Sequence, residues 1–354
     1  MLPFIGLTLT IVLTAIFHGN VHAIRIPGAD DNHNFKVAVT HFPLTNTAHK
    51  DPYKPTEDRR VMVSLYMPVP KELCSSECQN DYMPPQTAAI ANEQFIEGGN
   101  RQAGVFEDMT YDACCESSGD IDASGFPVVV LEPHVDTSRL MYSTIARFIS
   151  ANGVAVVVID HPGDASIVEF SSSRTRDLQT VYNSGTVPLS NLSPMTAWNS
   201  TVRTAVSTRI SDIRFTLSQI NSLALLQRQF TGLRFTSALN TSTYGIIGHG
   251  LGGSVATSLG LSTPSTSPSS AIKFSINLSG TPPLLTSPMQ NPPLFFFGRA
   301  DFRREHDIYW PTTWSQLTGH ATEFDLDDSA IFDVSDLPVV VEVARSEGGK
   351  RGVG

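Results

Sequence analysis

Charge is scarce in this chain, and cysteine is scarcer. Only 16% of the 354 residues are charged, and the 24 basic side chains fall short of the 34 acidic ones, leaving a net charge of −10. That deficit of positive charge excludes a nucleic-acid binder and a protein held on anionic membrane surfaces. The four cysteines, Cys74, Cys78, Cys114 and Cys115, have no histidine clustered with them, so a zinc site is not expected. The glycine-rich "GHGLGG" is not followed by the Lys-Ser/Thr of a phosphate loop, and no fingerprint for nucleotide, flavin or haem occurs; no cofactor is expected. There is no internal repeat. One long apolar run exists, Leu2 to Phe17, too short and too abruptly ended to be a membrane anchor.

What is present fits the secretory route. Val21-His22-Ala23 supplies the small residues of a signal-peptide cleavage site, so residues 1–23 are expected to be removed, although no basic residue precedes the apolar run. Four cysteines in a secreted chain imply two disulfides with three open connectivities. Sequons at Asn191, Asn199 and Asn240 lie in polar sequence and are expected to be glycosylated. A fourth, at Asn277, lies in an apolar strand and is expected to be inaccessible.

The remainder, 24–354, is expected to be a single α/β domain. "FKVAVTHF" and "RRVMVSLYMPV" read as antiparallel strands, followed by an irregular, cysteine-bearing segment at 71–125. "FPVVVLEP" and "VAVVVIDHPGD" are short continuous apolar runs, the signature of strands covered on both faces. Between them Leu140, Met141, Ile145, Phe148 and Ile149 recur at helical spacing. A polar insertion is expected at 171–205, and a flexible tail at 340–354. Strand and helix alternate through "YGIIG", "GGSVATSLGL", "AIKFSINLSG", "PLFFFGRAD", a Trp-bearing helix at 308–319 and "TEFDL". The pattern predicts a mostly parallel sheet with helices on both faces, its site at the carboxyl ends of the strands.

"YGIIGHGLGG" carries the most specific signal. A strand enters a turn in which Gly248 and Gly252 flank Gly250, and a helix follows. Small residues two positions either side of a sharp strand-to-helix turn are what a nucleophile elbow needs. The central residue, Gly250, has no side chain to attack with. Ser254, framed by Gly252 and Ala256, is a substitute candidate, but using it would extend the strand through "GHGLG"; the plainer reading is a small residue on the first helical turn.

The chain resembles the secreted fungal α/β-hydrolases related to platelet-activating-factor acetylhydrolase. The likeness spans most of 35–338 and rests on "RRVMVSLYMPVP", "VVVIDHPGDASIVEF", "GHGLGGSVA", "INLSGT" and "SDLP". It implies an α/β-hydrolase fold and a Ser-Asp-His esterase that releases short acyl groups from phospholipids or similar esters. Carried over residue by residue, the nucleophile falls on Gly250, the acid on Ser279, and the base on Ile331 or its neighbours. Asp301 is a substitute acid with no histidine to orient. The turn expected to form the oxyanion hole carries Glu132 and Asp136, whose charges oppose an oxyanion if they point inward.

From these departures the sequence predicts that serine-hydrolase catalysis is gone. The pocket, its floor widened at Gly250, is expected to serve a small apolar molecule of the kind found in secondary metabolism: lyase, cyclase or isomerase chemistry, or plain binding. His249, His134, Asp160 and His161 are the candidate acid–base groups. Two alternatives stand beside this: an esterase acting on an ester-like ligand with a non-standard nucleophile, and a catalytically dead partner-binding protein. The oligomeric state is not legible.

Overall fold

A computed structural model describes residues 24–28, 33–96, 104–172, 175–182, 200–262 and 271–350. Asn191 and Asn199 lie outside the described residues.

Short strands and intervening helices build one eight-stranded sheet. Its members are β2 (Phe35–Lys50), β3 (Asp58–Pro70), β7 (Val128–Glu132), β8 (Ala155–Asp160), β12 (Tyr244–His249), β13 (Ile272–Leu278), β14 (Leu294–Arg299) and β15 (Ala321–Leu326). They stand in the order β15-β14-β13-β12-β7-β8-β3-β2. The β2/β3 and β3/β8 pairs are antiparallel, and the rest are parallel. This is the α/β-hydrolase fold that the alternation predicts. Smaller pairings are β4 (Cys74–Asp81) with β5 (Met109–Ser117) and β1 (Ile24–Arg25), β9 (Ile167–Ser172) with β10 (Thr175–Tyr182), and β6 (Asp120–Ile121) with β11 (Arg234–Phe235).

Side-chain parity along the central strands divides the core in two. Val128, Val130, Val157 and Ile159 face α3 (Ser200–Ile220), α4 (Leu223–Gln229) and α5 (Leu251–Ser262). Leu131, Val156 and Val158 face the other way, toward α1 (Pro85–Phe95), α2 (Ser143–Ala151) and α7 (Leu337–Lys350). Both faces of the parallel strands are therefore covered, which is why they read as unbroken valine-rich runs. Trp310, on α6 (Trp310–Gln316), is fully buried and stacks on Phe296 at 4.9 Å.

Three expectations about organisation are corrected. The segment 71–125 is not irregular: β4, α1 and β5 occupy much of it, with Ala88, Phe106, Met109 and Tyr111 buried. The polar letters of β4, "CSSECQND", concealed a strand whose outer face meets solvent. The described part of the polar insertion is a hairpin, β9 and β10, followed by the start of α3. The expected tail is largely helix α7, because Val339, Val340 and Val343 recur at helical spacing and pack on the second core.

The open disulfide connectivity resolves to Cys74–Cys114 and Cys78–Cys115, both joining β4 to β5. The sequon Asn240 is exposed, whereas Asn277 is 1% exposed, its amide donating to Thr257 and to the Gly280 carbonyl.

Candidate active site

The elbow is present as a geometric object. β12 ends at His249, Gly250 follows at φ +55°, and α5 begins at Leu251. A Cβ added to Gly248 would overlap the Gly252 backbone, and one added to Gly252 would overlap the Glu132 backbone. Both flanking glycines are thus required by close approach, as the motif demands. The Gly250 N–H donates to the Leu278 carbonyl at 2.9 Å, which sets Ser279 beside the elbow. Ser279 itself has φ +56°, and its hydroxyl donates to the Phe297 carbonyl at 3.2 Å. From the far side comes the segment carrying Ile331, whose carbonyl lies close enough to His249 to act on its titration. Gly250, Ser279 and Ile331 therefore converge from three elements that are remote in sequence.

The expected widening of the pocket floor at Gly250 does not occur. A Cβ at Gly250 would run into the His134 ring, so the imidazole occupies the volume an elbow side chain would fill. His134 sits in the turn after β7. Its Nδ1–H donates to the Val135 carbonyl at 2.7 Å, which leaves Nε2 with a lone pair. Its backbone N–H donates to the Tyr142 hydroxyl at 3.0 Å. His249 packs against the same ring, with centroids 4.8 Å apart, and its Nδ1 hydrogen-bonds Tyr142 Oη at 2.7 Å. Phe332 closes the group with edge contacts to His134 at 5.6 Å, His249 at 6.0 Å and Phe95 at 5.2 Å.

Burial holds both imidazoles neutral. It pushes His134 down to about 4 against the opposing pull of its bond to Val135. It takes His249 well below the usual value, helped by His134 and Arg299. In the unfolded chain each titrates near 6.5. Below that pH the unfolded state binds more protons than the folded one. The stabilisation from keeping these rings neutral is therefore complete above about pH 6.5 and is lost as pH falls. For the two rings together the slope reaches about 3 kcal/mol per pH unit. In denaturant midpoints measured between pH 7 and 4.5, His249→Gln is expected to lower the slope of stability against pH by up to about 1.4 kcal/mol per pH unit, the share of one proton.

Asp160 and His161, expected as candidate acid–base groups, are corrected to bracing residues, because their polar atoms are committed elsewhere. Asp160 accepts from the backbone N–H of Arg139 at 2.6 Å and from its guanidinium. His161 binds Asp212 through Nδ1 at 2.8 Å and Glu132 through Nε2 at 2.9 Å, leaving no lone pair for catalysis or for a metal. Burial works against its charge, but Glu132 and Asp212 outweigh it and raise His161 to about 9. Burial likewise opposes the charge on Asp212, yet Arg59 and His161 hold its pKa low. Sequence reasoning missed the third member of this network: Arg209, on α3, binds Asp164 at 2.7 Å and the Pro133 carbonyl at 2.7 Å. Glu132 thus faces two cations and not an oxyanion, which removes the objection raised from its charge. The Asp136 N–H donates to the Asp164 carbonyl, pinning the same turn.

The substitute residues fare no better as chemistry. Ser254 is 1% exposed on the first turn of α5, and its hydroxyl donates to the Thr281 carbonyl at 2.6 Å. Asp301 has a side chain 71% exposed and pairs with Arg299 at 2.8 Å. Among the described residues no three metal-ligating side chains are grouped as a metal would need, and no helix is long and apolar enough to cross a membrane.

The fold and the elbow define the class as α/β-hydrolase. Residues 56–342 match the family described as platelet-activating factor acetylhydrolase, isoform II, and the chain belongs to that family. It is 28% identical over 326 residues to a probable 1-alkyl-2-acetylglycerophosphocholine esterase of Arthroderma benhamiae, covering 87% of this chain and 76% of the relative. Among solved structures it is similar to a ferulic acid esterase from Streptomyces cinnamoneus, with a TM-score of 0.64 at 19% identity over 90% of this chain and 81% of that one. These findings overturn the expectation of a pocket given over to non-hydrolytic chemistry. Family and relative both point to ester hydrolysis, the reading held above as an alternative.

Proposed function

We propose that this protein hydrolyses short-acyl esters of phospholipids or similar lipid-like molecules, with water as the nucleophile. Membership of the acetylhydrolase family supports the substrate class. The observation that carries the mechanism is His134: a neutral imidazole whose Nε2 lone pair stands over Gly250, in the volume an elbow side chain would take. In this reading Nε2 accepts a proton from water as the water oxygen bonds to the acyl carbon. The imidazolium then returns the proton to the departing alkoxide, leaving a free acid and an alcohol. His249 and Tyr142 hold the His134 turn in place. General-base assistance contributes about 10²–10⁴-fold. The low basicity of His134 sets its activity below that of an enzyme with a side-chain nucleophile.

The substrate reaches this base only when Phe332 turns out of its contacts with His134 and Phe95. Phe332→Ala is expected to raise kcat/KM for p-nitrophenyl acetate several-fold, without changing the pH profile. An unchanged kcat/KM would show that access runs elsewhere.

The test of the reading is turnover of p-nitrophenyl acetate and of a 2-acetyl phospholipid before and after treatment with a fluorophosphonate. Hydrolysis that survives the reagent, with no burst and no mass adduct, supports it. Absence of hydrolysis for both esters, or a stoichiometric adduct that abolishes it, overturns it. An adduct mapped to Ser254 would place the nucleophile there instead.

Secretion belongs to the same proposal. Residues 1–23 as a signal peptide, two disulfides and an exposed sequon at Asn240 support it.

A further inference from the structure

A polar cavity of about 340 Å³ opens between the disulfide-stapled ribbon and α2. Arg25, Lys36, Glu77, Asp112 and Arg147 line it. Lys36 pairs with Glu77 at 3.0 Å, and Arg25 pairs with Asp112. The two acids are thus balanced by two bases, and the charge of Arg147 is left over.

Arg147 is an unusual cation. It is 2% exposed, yet among the described residues Nε and Nη1 have no hydrogen-bond partner. Nη2 reaches only the Thr144 hydroxyl, at 3.5 Å. The Tyr111 ring lies 4.8 Å from the guanidinium carbon and supports one face of it. Asp336, a buried carboxylate within its field, spends its oxygens on the Tyr82 hydroxyl and the N–H groups of Thr144 and Ile145. A guanidinium cannot shed its proton to relieve burial, and an unpaired buried cation is costly to keep. Here its side chain lines a cavity open to solvent; Nε and Nη1 are covered in this conformation, and a small turn of the guanidinium would bring its paired N–H groups, which match an oxyanion, to the cavity.

We propose that this cavity binds one small oxyanion, carboxylate- or phosphate-sized, on Arg147, with Lys36 at its rim. The site shares no residue with the elbow, so it stands whether or not the esterase reading does.

Inorganic phosphate and acetate are each titrated into the full-length secreted protein at constant ionic strength with chloride, followed by calorimetry and thermal unfolding. A saturable response with one anion per chain is expected. Arg147→Met, which keeps the stack on Tyr111, should weaken binding at least tenfold. Glu77→Gln releases Lys36 and should strengthen it several-fold. Tighter phosphate marks a phosphate or headgroup site, and tighter acetate marks a carboxylate site. No saturable response from either anion, as an internal counter-charge would produce, overturns the proposal. So does equal binding by Arg147→Met. If that variant does not fold, Glu77→Gln decides, and unchanged or weaker binding overturns the proposal.

Discussion

His134→Ala is expected to lower ester hydrolysis by about 10²–10⁴-fold while leaving the protein folded. The size follows from what the ring supplies. Nδ1–H is fixed on the Val135 carbonyl, so Nε2 is the lone pair that can take a proton from water. The neighbouring candidates are engaged elsewhere: His249 has Nδ1 on the Tyr142 hydroxyl and the Ile331 carbonyl beside its ring, and Asp160 and His161 are saturated by Arg139, Asp212 and Glu132. The pH profile separates a base from a packing residue. With His134 at about 4, the rate should be flat from about pH 5 upward and fall only as pH drops through that value. A profile that breaks instead near 6.5 would assign the base to a solvent-exposed histidine. Measuring kcat/KM between pH 4 and 9, for wild type, His134→Ala and His134→Gln, makes the comparison. Full activity in both variants would remove His134 from the mechanism.

The second large effect concerns the volume that His134 fills. Gly250→Ser alone is expected to destabilise the fold by about 1–3 kcal/mol, because the new side chain meets the ring at a positive φ. Fluorophosphonate should not label it. Adding His134→Ala clears the space, and Ile331→His restores an imidazole to the segment that already lies against His249. The triple variant is expected to take a stoichiometric fluorophosphonate label at position 250 and to show burst kinetics, the fingerprint of a covalent intermediate. Intact mass and peptide mapping report the outcome. Labelling of Gly250→Ser without the His134 change would mean that the ring moves aside freely and does not define the site.

Sequence reading misplaced function at one step with an identifiable cause. The missing side chain at Gly250 reads as a widened pocket floor, and that position together with Ser279, Ile331 and the charged β7 turn reads as lost serine-hydrolase catalysis. Packing leaves few such voids. Which neighbour fills one depends on how the β7 turn folds back across the sheet. His134 and Gly250 are far apart in the chain, and no local pattern links them. The charge objection from Glu132 failed for the same reason, since its cationic partners His161 and Arg209 arrive from β8's end and from α3. The α7 helix, in contrast, could have been found from Val339, Val340 and Val343 at helical spacing.

The family resemblance supplied the three positions where a triad would stand; the sequence by itself determined the strands of the central sheet, their mostly parallel arrangement around an elbow and the number of disulfides. Those properties follow from apolar periodicity, turn chemistry and cysteine count, all of which are local or countable. Tertiary structure alone decided which cysteines pair, that Asp160 and His161 brace instead of react, that two nitrogens of Arg147 are left without a hydrogen-bond partner, and that an imidazole occupies the nucleophile's place. Each of these is a contact between residues distant in sequence, fixed only when the sheet brings its loops together and burial sets their charge.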